Sequence, residues 1–201
     1  PMILRGENYP SFLEIRGEIF MLKSDFEILN KARSHVGEKL FANARNAAAG
    51  SVRQLDPNIT SRRKLSIFCY ELGASDGLDV NTHWDMLSYL KSIGLPVNPL
   101  AKKIDSIDSM ILYHQDLEKK RDSIPYEIDG SVIKVDSYTL RSKLGVRARS
   151  PRWAIAAKFK SKNAETQILD IILQVGRTGV ITPVAKIKEV EISGAIISSA
   201  T

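Results

Sequence analysis

Two lysines stand where an anion could be held. In Glu127-Ile128-Asp129-Gly130-Ser131-Val132-Ile133-Lys134-Val135-Asp136, the residues Ser131, Ile133 and Val135 alternate with Val132, Lys134 and Asp136. That is the period of a strand, and an Asp-Gly turn is expected at its start. Lys134 shares a face with Val132. In the run from Trp153 to Lys160 the same period puts Lys158 on a face with Ala154 and Ala156, whose small side chains leave room above the strand. An unpaired ammonium is costly to bury, so a lysine on an apolar strand needs a partner. Two such lysines, one beside a valine and one beside alanines, suit an anion that carries a flat apolar group, and a nucleotide fits that description. Two edge-strand lysines that block aggregation would show the same pattern. Spacing alone favours this plainer reading slightly.

Charge is unevenly spread. The net charge is +6 over 201 residues, which permits a polyanionic partner. Arg141, Lys143, Arg147, Arg149, Arg152, Lys158 and Lys160 follow one another with no acid between them. Arg45, Arg53, Arg62, Arg63 and Lys64 form a second basic group, relieved only by Asp56. Two basic segments on a globular body could track phosphates. Either segment alone reads more simply as solvated charge.

Periodicity and caps predict the elements that carry these residues. Residues 12–21 alternate as a strand, with Leu13, Ile15, Ile19 and Met21 on one face and Glu14, Arg16 and Glu18 on the other. Glu18 either bridges Arg16 or accepts hydrogen bonds from a ligand's hydroxyls, and spacing favours the bridge. Ser24-Asp25-Phe26-Glu27 predicts a capping box, opening a helix with a Phe26, Leu29 and Ala32 stripe that Gly37 stops. Asn43 caps a second helix, expected to end at Pro57. Its run Ala47, Ala48, Ala49, Gly50, Ser51 allows close approach to another backbone, of protein or nucleic acid. Arg45 and Arg53 lie close to two turns apart and could hold two phosphates of one strand.

Residues 64–72 predict a strand with Phe68, Tyr70 and Leu72 on one face and Leu65, Ile67 and Cys69 on the other, followed by a loop over 73–77. Tyr70 is either core or a platform for a base. Thr82 caps a helix bearing Leu87, Leu90 and Ile93, stopped by Gly94 and Pro96. Ser106 caps another, with Met110, Ile111, His114 and Leu117 inward. Arg121 at its end either complements the helix dipole or reaches a pocket. Ser137 caps a short helix ending at Gly145. A polar stretch at 161–165 marks a boundary. Beyond it, residues 166–175 and 180–192 alternate as strands around a Gly176-Arg177-Thr178-Gly179 turn, too few strands to close a second all-β domain.

Several chemistries are excluded. Cys69 is the only cysteine, so there is no internal disulfide and no cysteine-rich zinc site, and a reducing cytosol is the natural home. His35, His83 and His114 show no metal-ligand spacing and read as surface or helix histidines. No nucleophilic triad, Walker loop or dinucleotide glycine fingerprint is present. No apolar run is long enough for a membrane span, and no secretion signal is expected.

Taken together, these runs closely resemble the NAD+-dependent DNA ligases of bacteria. The likeness rests on Leu13-Glu14-Ile15-Arg16-Gly17-Glu18-Ile19-Phe20, Phe41 to Pro57, Phe68-Cys69-Tyr70, Ile128 to Val135, Pro151 to Phe159, and Gln174 to Gly179 through Thr182-Pro183-Val184. It covers almost the whole chain in the family's order. The runs Arg45 to Gln54 and Gln174 to Val184 are specific to this branch and argue against a stand-alone ATP-dependent enzyme. The pattern at Asp129, Gly130 and Lys134 is shared with ATP-dependent ligases and capping enzymes.

The resemblance implies an α+β fold. Residues 1–162 would form an adenylation (nucleotidyltransferase) domain of ATP-grasp-like antiparallel sheets with helices, and residues 163–201 the start of an OB-fold. It implies nucleotide-binding roles for Glu18 on the ribose, for Tyr70 and Val132 on either side of adenine, and for Arg121. Lys134 would lie beside the adenosine and its phosphate, Lys158 would polarise the α-phosphate, and Asp129 would orient Lys134 or a metal; these three form the implied catalytic set. Arg45, Arg53 and Arg177 would meet DNA phosphates. NAD+ is the implied co-substrate with Mg2+ assisting, and zinc belongs only to a part of the family protein outside this sequence. Nicked double-stranded DNA, AMP and NAD+ are the implied partners, with no membrane. The intact enzyme would be a monomer in the bacterial cytoplasm, at the nucleoid.

One departure matters. The family's nucleophile lies in a Lys-x-Asp-Gly motif, and neither Asp76-Gly77 nor Asp129-Gly130 has a lysine two residues before the aspartate. The sequence is therefore expected to be a fragment that does not adenylate itself. A non-catalytic module that binds nucleotide or DNA is the other reading.

Overall fold

The computed structural model describes residues 3–6, 9–148, 150–161, 163–192 and 195–201. Arg149 of the basic run and part of the opening Pro1 to Pro10 connection lie outside the described residues. The elements follow in the order β1 (Leu13–Phe20), α1 (Lys23–His35), α2 (Ala44–Val52), α3 (Pro57–Ser61), β2 (Ser66–Ser75), α4 (His83–Ser92), α5 (Ile107–Lys120), β3 (Gly130–Lys134), α6 (Tyr138–Leu144), β4 (Val146–Arg147), β5 (Ser150–Pro151), β6 (Ala154–Lys158), β7 (Ile168–Val175), β8 (Ile181–Ile192) and β9 (Ala195–Ala200). The architecture is mixed α and β. Antiparallel pairs β1–β2, β3–β6 and β4–β5 carry the helices, and β7-β8-β9 form a separate three-stranded sheet.

Most helix starts follow their caps. Asn43, Thr82, Ser106 and Ser137 each accept a backbone N–H from the first turn of α2, α4, α5 and α6. The capping box at Ser24 does not form. Leu22 is the N-cap of α1 and makes no side-chain cap. The helix already begins at Lys23, whose N–H donates to the Pro125 carbonyl at 2.8 Å, while the Phe26 N–H donates to the Leu22 carbonyl at 2.9 Å in the first helical turn. Pro57 does not close α2 but opens α3 at its first position, behind an Asp56 cap.

The small face of α2 approaches protein. Ala44, Ala47, Ala48 and Ser51 are buried, and the three alanines pack with Met21, Phe26, Leu29, Phe41 and Leu65, leaving Arg45 and Arg53 exposed. Ala32 of α1 is exposed, so the stripe there stops at Leu29. The second core cluster places Met86, Leu87 and Leu90 of α4, with its C-cap Ile93, against Cys69, with Leu13, Ile15 and Leu72 alongside. In α5, Ile111 is exposed and Tyr113 turns partly inward in its place, donating to the Leu100 carbonyl at 2.5 Å.

The strands depart from simple alternation at informative points. In β1–β2 the register steps from Arg16↔Glu71 to Gly17↔Cys69 and passes over Tyr70, the mark of a bulge. Beyond it the phase changes, so Leu72 packs in the same cluster as Cys69 rather than sharing a face with Phe68 and Tyr70. The predicted loop at 73–77 is largely strand, because β2 runs on to Ser75. Ile19 is exposed, while Phe20 on the opposite face stacks on Phe68 at 4.6 Å and against Tyr126 at 5.1 Å. Arg16 bridges Glu14 at 3.4 Å rather than Glu18.

No turn forms at Asp129-Gly130; Gly130 is already the first residue of β3. It is glycine because of a close approach. A Cβ there would overlap the Ala157 carbonyl oxygen and lie 2.9 Å from the Lys158 Cα. We expect Gly130→Ala to separate the ends of β3 and β6 and destabilise the fold by about 1–3 kcal/mol in chemical denaturation. Gly176→Ala meets nothing nearer than 3.5 Å and should leave the midpoint unchanged.

Candidate functional site

The register of β3 on β6 unites the two lysine-bearing faces. Gly130 lies opposite Lys158, Val132 opposite Ala156 and Lys134 opposite Ala154. Side chains of directly opposed residues point to the same side of a sheet, so one face carries Lys134 at one end and Lys158 at the other. Between them stand only Val132 and two alanines. The opposite face is packed at one end, where Ser131 meets His114, whose ring lies 5.0 Å from that of Phe159, while Ile155 on the same face is exposed.

Each lysine has a carboxylate, and the two pairs differ in exposure. Lys134 Nζ donates to Glu71 Oε2 at 2.7 Å, with both side chains about one-sixth exposed. Its ammonium also lies 5.0 Å from the Tyr70 ring centre, within cation–π range. The Tyr70 bulge therefore serves both: it sets the ring proud of the strand pair and places Glu71 beside Lys134. Lys158 Nζ donates to Asp129 Oδ2 at 2.8 Å, and that oxygen is also 3.8 Å from Arg45. This second pair is largely in solvent.

Glu71 is the most engaged of these groups. Its Oε1 accepts from Arg141 at 3.3 Å and lies 3.7 Å from His83 Nδ1. Burial alone would raise its carboxyl, but the neighbouring His83 and Lys134 overcome this and pull it from 4.5 down to about 2. The hydrogen bond from Lys158 likewise holds Asp129 below the usual carboxylate range, against a smaller opposing effect of burial. The chain leaving β3 is tied to α4: Asp136 accepts the Trp84 N–H at 2.9 Å and pairs with Lys103 at 3.1 Å.

The remaining expected residues are placed less tightly. Glu18 is exposed and faces Phe68 across the strand pair, on the side that carries Phe20. Val132 is exposed on the lysine face. The Arg121 guanidinium lies 5.9 Å from the Phe159 ring, next to Lys158 in sequence. Arg53 is the exposed C-cap of α2. Arg177 is exposed in the turn between β7 and β8, on the separate sheet. Among the described residues, no group of three or more His, Cys, Asp or Glu could hold a metal ion.

The roles of Glu71 and Arg141 escaped the sequence reading, as did the partners of two histidines. A lysine on an apolar strand announces that it needs a partner, but not that the partner is 63 residues away. Arg141 counted as one of a basic run, yet it is 5% exposed. His83 and His114 are helix residues, as expected, and His114 turns inward; their partners were not legible, one approaching Glu71 and the other bonding Ser131 at 2.8 Å.

The model of the NAD-dependent DNA ligase adenylation domain matches residues 1–162, and that of the NAD-dependent DNA ligase OB-fold domain matches residues 165–201. Proteins named DNA ligase are similar over all 201 residues: 53% identical in Geotalea daltonii, 50% in Geobacter metallireducens and 46% in Zymomonas mobilis. The chain spans about 30% of the length of the first two and 28% of the third. It belongs to the NAD-dependent DNA ligase family and carries that family's adenylation and OB-fold domain sequences.

The low value at Glu71 has a direction in pH. A carboxyl at about 2 when folded and 4.5 otherwise stabilises the fold above pH 4.5 and loses that contribution as pH falls toward 2. The contribution at neutral pH is at most roughly 3 kcal/mol. Thermal melts from pH 6 to 2 should fall steeply for the wild-type chain and more gently for Glu71→Gln. Parallel curves would show that Glu71 is not the group responsible.

Proposed function

We propose that this chain forms the nucleotide- and phosphate-binding part of a nick-sealing DNA ligase that uses NAD+. The observation that carries the reading is the one β3–β6 face that carries both lysines, each held by a carboxylate at its own end, with small side chains between. Adenine would lie between Tyr70 and Val132, with Glu18 accepting from the ribose hydroxyls. Lys134 would stand beside the adenosine and its phosphate, Lys158 would take the α-phosphate, and Arg121 would assist from the Phe159 side. Arg45, Arg53 and Arg177 would meet DNA phosphates.

Family membership supports the ligase reading over a non-catalytic nucleotide- or DNA-binding module. The chemistry suits these residue types. Attack at a phosphorus builds negative charge on its oxygens, and fixed cations stabilise that charge by several kcal/mol across such a site. Lys158 exchanges Asp129 for a phosphate oxygen at small loss, because an exposed pair contributes only about 0–1 kcal/mol. Mg2+, when bound, would neutralise further phosphate charge. Asp129 is the carboxylate on this face that would hold it, which fits an ion that needs one or two carboxylates and takes the rest of its shell from phosphate and water. Zinc would belong to another part of the family protein, since this sequence has one cysteine and a cysteine-rich zinc site needs several.

The finer assignments belong to the same proposal. Residues 1–162 act as the nucleotidyltransferase unit, of ATP-grasp-like kind, and residues 163–201 as OB-fold strands that bring Arg177 to the duplex. No helix among the described residues is long and apolar enough to cross a membrane. The proposed setting is the bacterial cytoplasm at the nucleoid, with the whole enzyme a monomer.

Calorimetric titration tests the pocket. AMP and NAD+ should bind the chain, and Lys158→Ala should weaken both at least about tenfold. Intact mass after incubation with NAD+ and Mg2+ should remain that of the unmodified chain, because no Lys-x-Asp-Gly motif is present. No binding by the wild type would sink the pocket reading.

Nicked duplex tests the basic face. Affinity should fall steeply with salt, and Arg45→Ala should reduce the slope of log K against log salt by about one. A slope that Arg45→Ala leaves unchanged would remove Arg45 from the DNA contacts.

A further inference from the structure

Lys134 is held from behind by residues that do not face the proposed ligand. Arg141 is 5% exposed, and its guanidinium is committed on several sides. Its Nε donates to the Val135 carbonyl at 2.6 Å, and its Nη1 donates to Glu71 Oε1 at 3.3 Å. Its plane lies 4.2 Å from the Trp153 ring centre and 4.9 Å from that of Tyr138. The Trp153 backbone is tied to the end of β3, since its carbonyl accepts the Val135 N–H at 2.9 Å. The other oxygen of Glu71 takes the Lys134 ammonium. The chain of contacts thus runs from an immobilised arginine, through one carboxylate, to a lysine whose own strand Arg141 also grips at Val135.

We propose that Arg141 and Glu71 form a two-link clamp that sets the Lys134 ammonium against Tyr70, making both of them positioning residues of the nucleotide site. The proposal rests on the reading of Lys134 as a nucleotide-binding residue. A lysine side chain has several rotatable bonds and holds one position only when its neighbours enforce it. Glu71 alone could swing with Lys134. Glu71 anchored on a stacked, buried guanidinium cannot, because leaving would strand a buried cation. The planar fork of arginine suits this use, and lysine in its place keeps the charge but loses the stacking and the bond to Val135.

The test reads Lys134 itself, by mass spectrometry of competitive labelling with an amine-reactive ester, in the folded chain at pH 7.5. In Glu71→Gln, Lys134 should label about fivefold faster, with Lys158 unchanged as the internal reference. Arg141→Lys should give a smaller rise, and Glu71→Asp should return the rate part of the way to wild type. Melting curves select the variants that remain folded, and Glu71→Asp with Arg141→Lys keep the test standing if Glu71→Gln does not fold. An unchanged Lys134 rate in a folded Glu71→Gln or Arg141→Lys chain would overturn the clamp.

AMP affinity supplies the functional arm. It should fall about tenfold in Glu71→Gln and recover in part in Glu71→Asp. Faster labelling of Lys134 with AMP affinity unchanged would also overturn the positioning role. A wild-type chain that binds no AMP would sink the pocket reading, while the labelling rates would still decide the clamp.

Discussion

The contact between Glu71 and Lys134 is the constraint on which the rest of the candidate site depends. It joins two strand pairs that share no ladder: Glu71 belongs to β1–β2 and Lys134 to β3–β6. Both groups are mostly withdrawn from water, so neither can be left alone without an uncompensated charge of several kcal/mol. The pair therefore fixes how the surface bearing Glu18, Phe68 and Tyr70 meets the face bearing Lys134, Val132 and Lys158. His83, at the start of α4, and Arg141, on α6, converge on the same carboxylate. Two helices and two strand pairs are thereby referred to one ionised group.

The bulge at Tyr70 makes that contact possible. In a regular ladder Tyr70 and Glu71 would point to opposite faces, and only one of them could meet the lysine. The extra residue locally relaxes that rule, so Lys134 lies near both the carboxylate of one and the ring of the other. The bulge also turns Leu72 into the cluster with Cys69 and α4, and so keeps the core continuous beneath the irregular strand.

Much of this was legible in the sequence where the information is local. The N-caps Asn43, Thr82, Ser106 and Ser137, the stops at Gly37, Gly94 and Gly145, and the turn after β7 all depend on residues within a few positions of each other. The lysine-bearing strands were legible for the same reason. What was not legible is long-range or compensatory. The Ser24 cap does not form because the helix already begins at Lys23, whose N–H is taken by the carbonyl of the distant Pro125. The bulge at Tyr70 leaves the alternation of residue types intact, so periodicity assigned Leu72 to the wrong face. Glu71 and Arg141 could be weighed only as one acid and one member of a basic run, because a buried ion pair between distant segments has no local pattern. The family likeness, resting on whole runs, offers roles for the site residues where spacing left alternatives open.

The two lysines differ in what they can give up. Lys158 and Asp129 stand mostly in solvent, where attraction is weakened by water and by salt, and such a pair contributes about 0–1 kcal/mol. An arriving phosphate brings more charge than one carboxylate and can take the lysine at little loss, leaving Asp129 free toward Arg45 or a cation. Lys134 and Glu71 are screened far less, and Glu71 is held from behind by Arg141. A ligand that drew Lys134 away would have to compensate a buried carboxylate, so it gains more by meeting the ammonium where it already stands. On this reading one end of the β3–β6 face is an exchangeable phosphate contact and the other a fixed reference point. A site of the proposed kind, holding adenosine still while the bonds at its phosphate change, would need both.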